Sequence, residues 1–178
     1  MEAFVPMRIV INDTSCLIDL RKAGLLHAAL LLPFQFQIAL PLLHSELLDF
    51  STVEIEALVA RGLTVVDVPP NGIRRALQLR AQYPGLSFND CVSMALAESH
   101  PNSILLTGDQ SLRNRASSMG IEVHGVLWVS DQLQSSGQAT FADLLQGLIV
   151  LDADPVVFVP RAELRDRVLA LRKLLGTS

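Results

Sequence analysis

The chain has 178 residues, half of them apolar, with only 18% charged side chains and a formal net charge of −4. These values fit one compact domain with a large core and argue against disorder over most of the length. They also exclude a protein that holds nucleic acid through its overall charge, so a polyanion would need a local basic patch or bound cations.

The two cysteines, Cys16 and Cys91, have neither zinc-ligand spacing nor a disulfide framework. Both stand in apolar contexts and read as reduced core residues of a cytoplasmic protein. No apolar run reaches transmembrane length, and "ALLLPFQFQIALPLL" is interrupted by two prolines and two glutamines. The N-terminus lacks the charged and apolar segments of a signal peptide. Met7, which opens "MRIVINDTS", is an alternative start.

Arg8 to Asn12, "RIVIN", predicts a buried strand. "DTS" supplies N-cap residues, and "CLIDLRKAGLLHAALLL" reads as helix, split at Gly24. "FQIAL" predicts a second strand ended by Pro41, and "LLHSELLDF" a short helix. "TVEIEALVARG" is a further helix with Gly62 as its C-cap, and "LTVVDV" a third strand. Two helices follow, in "GIRRALQLRAQY" and "SFNDCVSMALAES", then a fourth strand in "SILLTG". "DQSLRNRASSMG" predicts a helix, "IEVHG" a fifth strand and "VLWVSDQLQSS" a helix. Strands alternating with helices imply an α/β fold, three-layer α/β/α, with a central, mainly parallel sheet. "SSGQAT" is the most linker-like stretch, and it separates residues 1–134 from a mainly helical extension, 135–178. In the last helix Leu164, Val168, Leu171 and Leu175 share one face, suited to packing on the domain or on a partner.

Ligands of an open parallel sheet bind beyond the carboxyl ends of its strands. Asp13 directly follows the first strand, and Asp109, after "ILLTG", follows the fourth. Glu46, in "LPLLHSELLDF", and Asp90, in "LSFNDCVSMALA", stand in unusually apolar settings. Acids so placed are rarely buried without a partner or a cation. Three have a plainer alternative, since Asp13, Asp90 and Asp109 all suit helix N-termini, whereas Glu46 sits inside an apolar helix with no obvious cationic neighbour. Clustered carboxylates stay ionised together only near cations, and an all-oxygen set favours Mg²⁺ or Mn²⁺. Such a centre suits phosphodiester hydrolysis.

The segments "IVINDTSCLIDL", "ALPLLHSELL", "LSFNDCVSMALAES" and "ILLTGDQSLRNRASSMGIEV" together resemble the PIN-domain family of metal-dependent ribonucleases, from about Arg8 to Trp128. The resemblance implies a metal-binding quartet of Asp13, Glu46, Asp90 and Asp109, with Ser15 and Thr107 lining the site. It implies Mg²⁺ or Mn²⁺ as cofactor, RNA as substrate and a homodimer, with residues 1–134 as the nuclease domain. Many family members of this size are toxins of toxin–antitoxin pairs, so it also implies an antitoxin protein as partner. The family often carries another acid shortly after the fourth; this chain has Ser111 there.

Of the basic residues, Arg113 and Arg115 follow Asp109 most closely and suit an RNA phosphate or a solvated helix face. His27, His44, His100 and His124 read as structural, Trp128 as core, Asp19 as a surface residue, and Asp49 as an extra acid on the face of Glu46. The alternative to a ribonuclease is a catalytically weak or inactive module of the same fold that binds a protein partner. A phosphate-cradling glycine-rich loop is absent, as is the second acid of phosphoaspartyl chemistry, since Ser15 stands two residues after Asp13.

Overall fold

A computed structural model describes residues 7–176. The reading of the N-terminus as free of a targeting segment falls largely on residues 1–6, outside the described residues. The chain order is β1 (Arg8–Asn12), α1 (Thr14–Lys22), α2 (Leu26–Ala29), β2 (Phe34–Ala39), α3 (Leu40–Glu46), α4 (Thr52–Ala60), β3 (Thr64–Val66), α5 (Pro70–Gln82), α6 (Phe88–Glu98), β4 (Ile104–Leu106), α7 (Gln110–Ser118), β5 (Glu122–His124), α8 (Val126–Ser136), α9 (Phe141–Ala153) and α10 (Arg161–Leu175).

The five strands form one sheet in the order β3-β2-β1-β4-β5, with every pairing parallel. From β1 the chain steps outward through β2 to β3, then returns past β1 to β4 and β5. The switch point therefore lies between β1 and β4, where Asn12 pairs with Leu106. The helices form two contact groups. In one, α1 touches α2, α3, α8 and α9; in the other, α6 touches α5 and α7 and lies on β1, β2 and β4. Right-handed crossovers put the two groups on opposite faces of the sheet, giving the three layers. The central strands are buried, with Val10, Ile11, Ile38, Ile104, Leu105 and Leu106 fully inside. Cys16 and Cys91 are buried free thiols in the same core.

The elements depart from the sequence-based expectation at local boundaries. β2 begins at Phe34, and Pro41 does not end it but sits in the first turn of α3, where its missing N–H costs nothing. The cap of α4 is Arg61, and Gly62 follows it with φ 113°, a conformation that favours glycine. In α10, Leu164 and Leu171 are buried and Val168 packs on the core, but Leu175, in the last turn, is exposed.

Helix α10 packs on α9, and α9 packs on α1 and α8. The seat of α9 is tight. A Cβ at Gly147 would stand 2.8 Å from the carbonyl oxygen of Ala23 and 3.1 Å from a Leu25 methyl. Arg161, at the start of α10, donates to the carbonyls of Leu151, Asp152, Asp154 and Val157 and fixes the connection between the two helices.

Asp19, expected at the surface, is buried at 7% exposure, because α9 and the following loop cover the face of α1 that carries it. Burial raises its pKa from 3.8 to about 6, against the pull of Lys22 and Arg161, while Asp154 adds to the rise.

Two outcomes follow from this packing. Gly147→Ala should lower the urea midpoint. Overpacking against backbone costs about 1–3 kcal/mol and outweighs the roughly 1 kcal/mol that alanine gains over glycine within a helix. An unchanged midpoint would contradict the close seat of α9 on α1. Asp19→Asn should be more stable than the wild type at pH 8. A raised native pKa means that the native state holds the proton more tightly. The wild type is therefore relatively stabilised below pH 3.8 and loses that contribution as pH rises through about 6. Melting curves of both proteins should converge below that window and separate above it; a constant difference across it would refute the burial of this carboxyl.

Candidate functional site

The first acid is placed by the end of β1. The backbone N–H of Asp13 donates to the carbonyl of Leu106 at 3.0 Å, so β1 stays joined to β4 one residue beyond the strand. The Asp13 side chain caps α1 by accepting from the N–H of Thr14 at 3.0 Å. Its other oxygen, Oδ2, accepts from Ser15 Oγ at 2.8 Å and from Thr107 Oγ1 at 2.7 Å. The carboxylate is 5% exposed, and burial raises its pKa to about 6 despite these two hydroxyl donors. The charges of Asp90 and Glu46 push it further the same way.

Thr107 and Ser15 tie this carboxylate to the loop after β4. Thr107 Oγ1 accepts from the N–H of Asp109 at 3.0 Å, and Ser15 Oγ accepts from the N–H of Gly108 at 3.1 Å. Asp109 caps α7 by accepting from the N–H of Leu112 at 2.7 Å, and it is exposed. The helix-capping reading therefore holds for Asp13 and Asp109.

Asp90 is the third residue of α6 and completes a capping box with Ser87. The N–H of Ser87 donates to Asp90 Oδ2 at 2.6 Å, and Ser87 Oγ accepts from the N–H of Asp90 at 3.0 Å. Partial burial raises its pKa, and the charges of Asp109 and Glu46 add to the rise. Glu46 ends α3, and its two oxygens accept from Thr14 Oγ1 and from Asn89 Nδ2. Thr14 and Asn89 were not singled out from the sequence. Their only signal was adjacency, one lying inside "DTS" and the other inside "SFND".

At this edge of the sheet the charges of Asp90 and Glu46 thus bear on Asp13, and those of Asp109 and Glu46 bear on Asp90. As the side chains stand, no three His, Cys, Asp or Glu groups among the described residues converge in metal-holding geometry. Glu46 and Asp90 are turned to donors of their own chain. The donor chemistry nevertheless fits a hard divalent cation, being all carboxylate with neutral hydroxyls around it. Exchanging those local bonds for a cation would also offset the burial, and the lesser repulsion, that raise Asp13 and Asp90.

The remaining candidates are not part of this cluster. Asp49 lies in an exposed turn beyond α3, away from the helix face of Glu46. Ser111 is exposed on α7. The His124 ring is 2.8 Å from Glu122 and stacks on Trp128 at 4.5 Å, a packing role. Trp128 is half-buried, with Phe34 near it at 5.3 Å. Arg115 lies over the Tyr83 ring, whereas Arg113 donates to the carbonyl of Thr107 at 3.0 Å, next to the acids.

Thr107→Val should cost about 1–3 kcal/mol, because it leaves the N–H of Asp109 without its acceptor and removes one of the two hydroxyl donors to Asp13. Thr107→Ser should restore most of the loss. Equal urea midpoints for the wild type and Thr107→Val would deny the bridging role of this hydroxyl.

No curated protein matches the chain. A family model described as a PIN domain matches residues 9–157, a span that holds β2 to β5 whole, β1 from Ile9 onward and all four acids. The match covers well over half of the chain, and the chain belongs to the PIN-domain family.

Proposed function

We propose that the protein is a Mg²⁺- or Mn²⁺-dependent endoribonuclease, acting as the toxin of a toxin–antitoxin pair and working as a homodimer. The PIN domain is a nuclease-type fold, which supports a nuclease reaction. The observation that supports the metal-dependent reading is the crowding of acids at the switch point of the sheet, where the charges of Asp90 and Glu46 bear on the buried Asp13 and those of Asp109 and Glu46 bear on Asp90. These four carboxylates would hold the cation. When bound, a divalent cation supplies an activated water and offsets charge on a phosphodiester.

The chain's own groups have definable tasks. Ser15 and Thr107 orient the Asp13 carboxylate and hold its charge on one oxygen. Thr14 and Asn89 hold Glu46 facing the same edge. Arg113, fixed at Thr107, offers a cation to a neighbouring RNA phosphate. No helix among the described residues is long and apolar enough to cross a membrane. A second reading, a catalytically weak module that binds a protein through the same edge, is favoured by one observation: Glu46 and Asp90 are satisfied by donors of their own chain.

Melting curves in EDTA, Mg²⁺ and Mn²⁺ separate the two readings. At a hundredfold excess over Kd a bound ion stabilises by about 2.7 kcal/mol, roughly 5–10 °C for a chain of this size. The wild type should show that rise, Asp90→Asn should lose it, and cleavage of single-stranded RNA should disappear with it. A wild type that melts identically with and without the ions would remove the metal-dependent reading and leave the interaction module.

A further inference from the structure

Beside the acids lies a second feature that the quartet does not use. A cleft of about 730 Å³ opens between Gly108 and Gln110 on one side and residues 155–160, the connection from α9 to α10, on the other. It touches the catalytic edge directly, since a Cβ at Gly108 would come within 3.5 Å of the Phe158 carbonyl oxygen.

The cationic groups of this cleft differ in what they can offer. Arg161 spends its guanidinium on four backbone carbonyls, and Arg167 is paired with Asp131 at 2.7 Å. Arg113 has no carboxylate partner among the described residues and makes one hydrogen bond, to Thr107. Its place depends on Gly125, where a Cβ would stand 2.9 Å from Nη2 of Arg113. The aromatic groups differ as well. Trp128 has His124 stacked on it and Phe34 beside it. Phe158 is 78% exposed, although its neighbour Val157 is buried and Arg161 clamps the backbone around it. An exposed ring on a fixed backbone, lining one cleft with a cation without a carboxylate partner near the acid-bearing edge, matches what single-stranded nucleic acid needs: a stacking face and a phosphate contact.

We infer that this cleft is a nucleotide subsite for single-stranded RNA, in which Phe158 stacks on a base and Arg113 holds the adjoining phosphate. The inference rests on the ribonuclease reading and adds to it a strand path that runs from the acids toward the α9–α10 connection. The net charge of −4 strengthens the choice of a positioned cation, because the chain as a whole repels a polyanion. Phe158 and Arg113 are positioning residues, so their loss falls on substrate affinity.

The test uses the full chain with short single-stranded oligouridylate carrying 5-iodouridine, irradiated in Mg²⁺ and in EDTA, with adducts mapped by mass spectrometry. It is paired with KM and kcat for the wild type, Phe158→Ala, Phe158→Tyr and Arg113→Gln. An adduct on Phe158 is expected. KM should rise about tenfold in Phe158→Ala, within the range for loss of one stacked base, with kcat little changed. Phe158→Tyr should restore it, and the metal-induced melting shift should stay at the wild-type value in both Phe158 variants. If the wild type cleaves RNA while the adduct lies elsewhere and Phe158→Ala leaves KM unchanged, the subsite is wrong and the ribonuclease reading stands. If Phe158→Ala changes the elution volume but not RNA crosslinking, the ring belongs to a contact between copies, and the subsite is again overturned. If the wild type neither crosslinks nor cleaves RNA, the ribonuclease reading fails and takes the subsite with it.

Discussion

A buried carboxylate, Asp13, is the constraint around which the site is organised. Taking a charged group out of water is costly unless donors surround it. Asp13 collects a backbone N–H and two hydroxyls, from Ser15 and Thr107, and these belong to α1 and to the loop after β4. Satisfying the carboxylate therefore joins two separate stretches of chain at one edge of the sheet. The compensation is incomplete, because burial still holds the pKa near 6. An incompletely compensated charge in a fixed position is poised to gain from a cation, a different logic from that of a surface acid satisfied by water.

The other acids extend the same balance. Asp13, Asp90 and Asp109 all stand at helix N-termini, where N–H groups and the helix dipole favour negative charge. Glu46 sits at the wrong end of its helix, the C-terminus of α3, and so receives no such help. Side-chain donors from Thr14 and Asn89 take its place. The strand order makes this possible. Because the chain reverses direction across the sheet between β1 and β4, helices beginning after both strands aim their N-termini at one crevice.

Much of this was legible from local pattern. The apolar runs that end at Asp13 and Asp109 mark both strand and edge, since a parallel sheet shows its carboxyl ends on one side. What remained hidden depends on contacts distant in sequence. Asp19 looks like a surface acid within α1 until α9 and its following loop, well over a hundred residues on, cover it. Asp49 shares a helical spacing with Glu46, but α3 ends first, so the spacing has no helix to act on. Thr14 and Asn89 are ordinary cap-region residues by sequence. Only the approach of α1 and α6 to the end of α3 turns them into donors for Glu46.

The extension beyond the linker-like stretch has a consequence that composition does not suggest. Gly147 lets α9 sit against the α1–α2 junction, and Arg161 locks the turn that follows by satisfying four carbonyls at once. That turn brings residues 155–160 alongside Gly108, so the edge bearing the acids gains a wall built from the end of the chain. The family match ends at residue 157, one position before Phe158. The acids thus lie within the shared span, and the exposed ring lies just outside it. A wall carried on a separately clamped turn can change its side chains without disturbing the hydrogen bonds that hold Asp13.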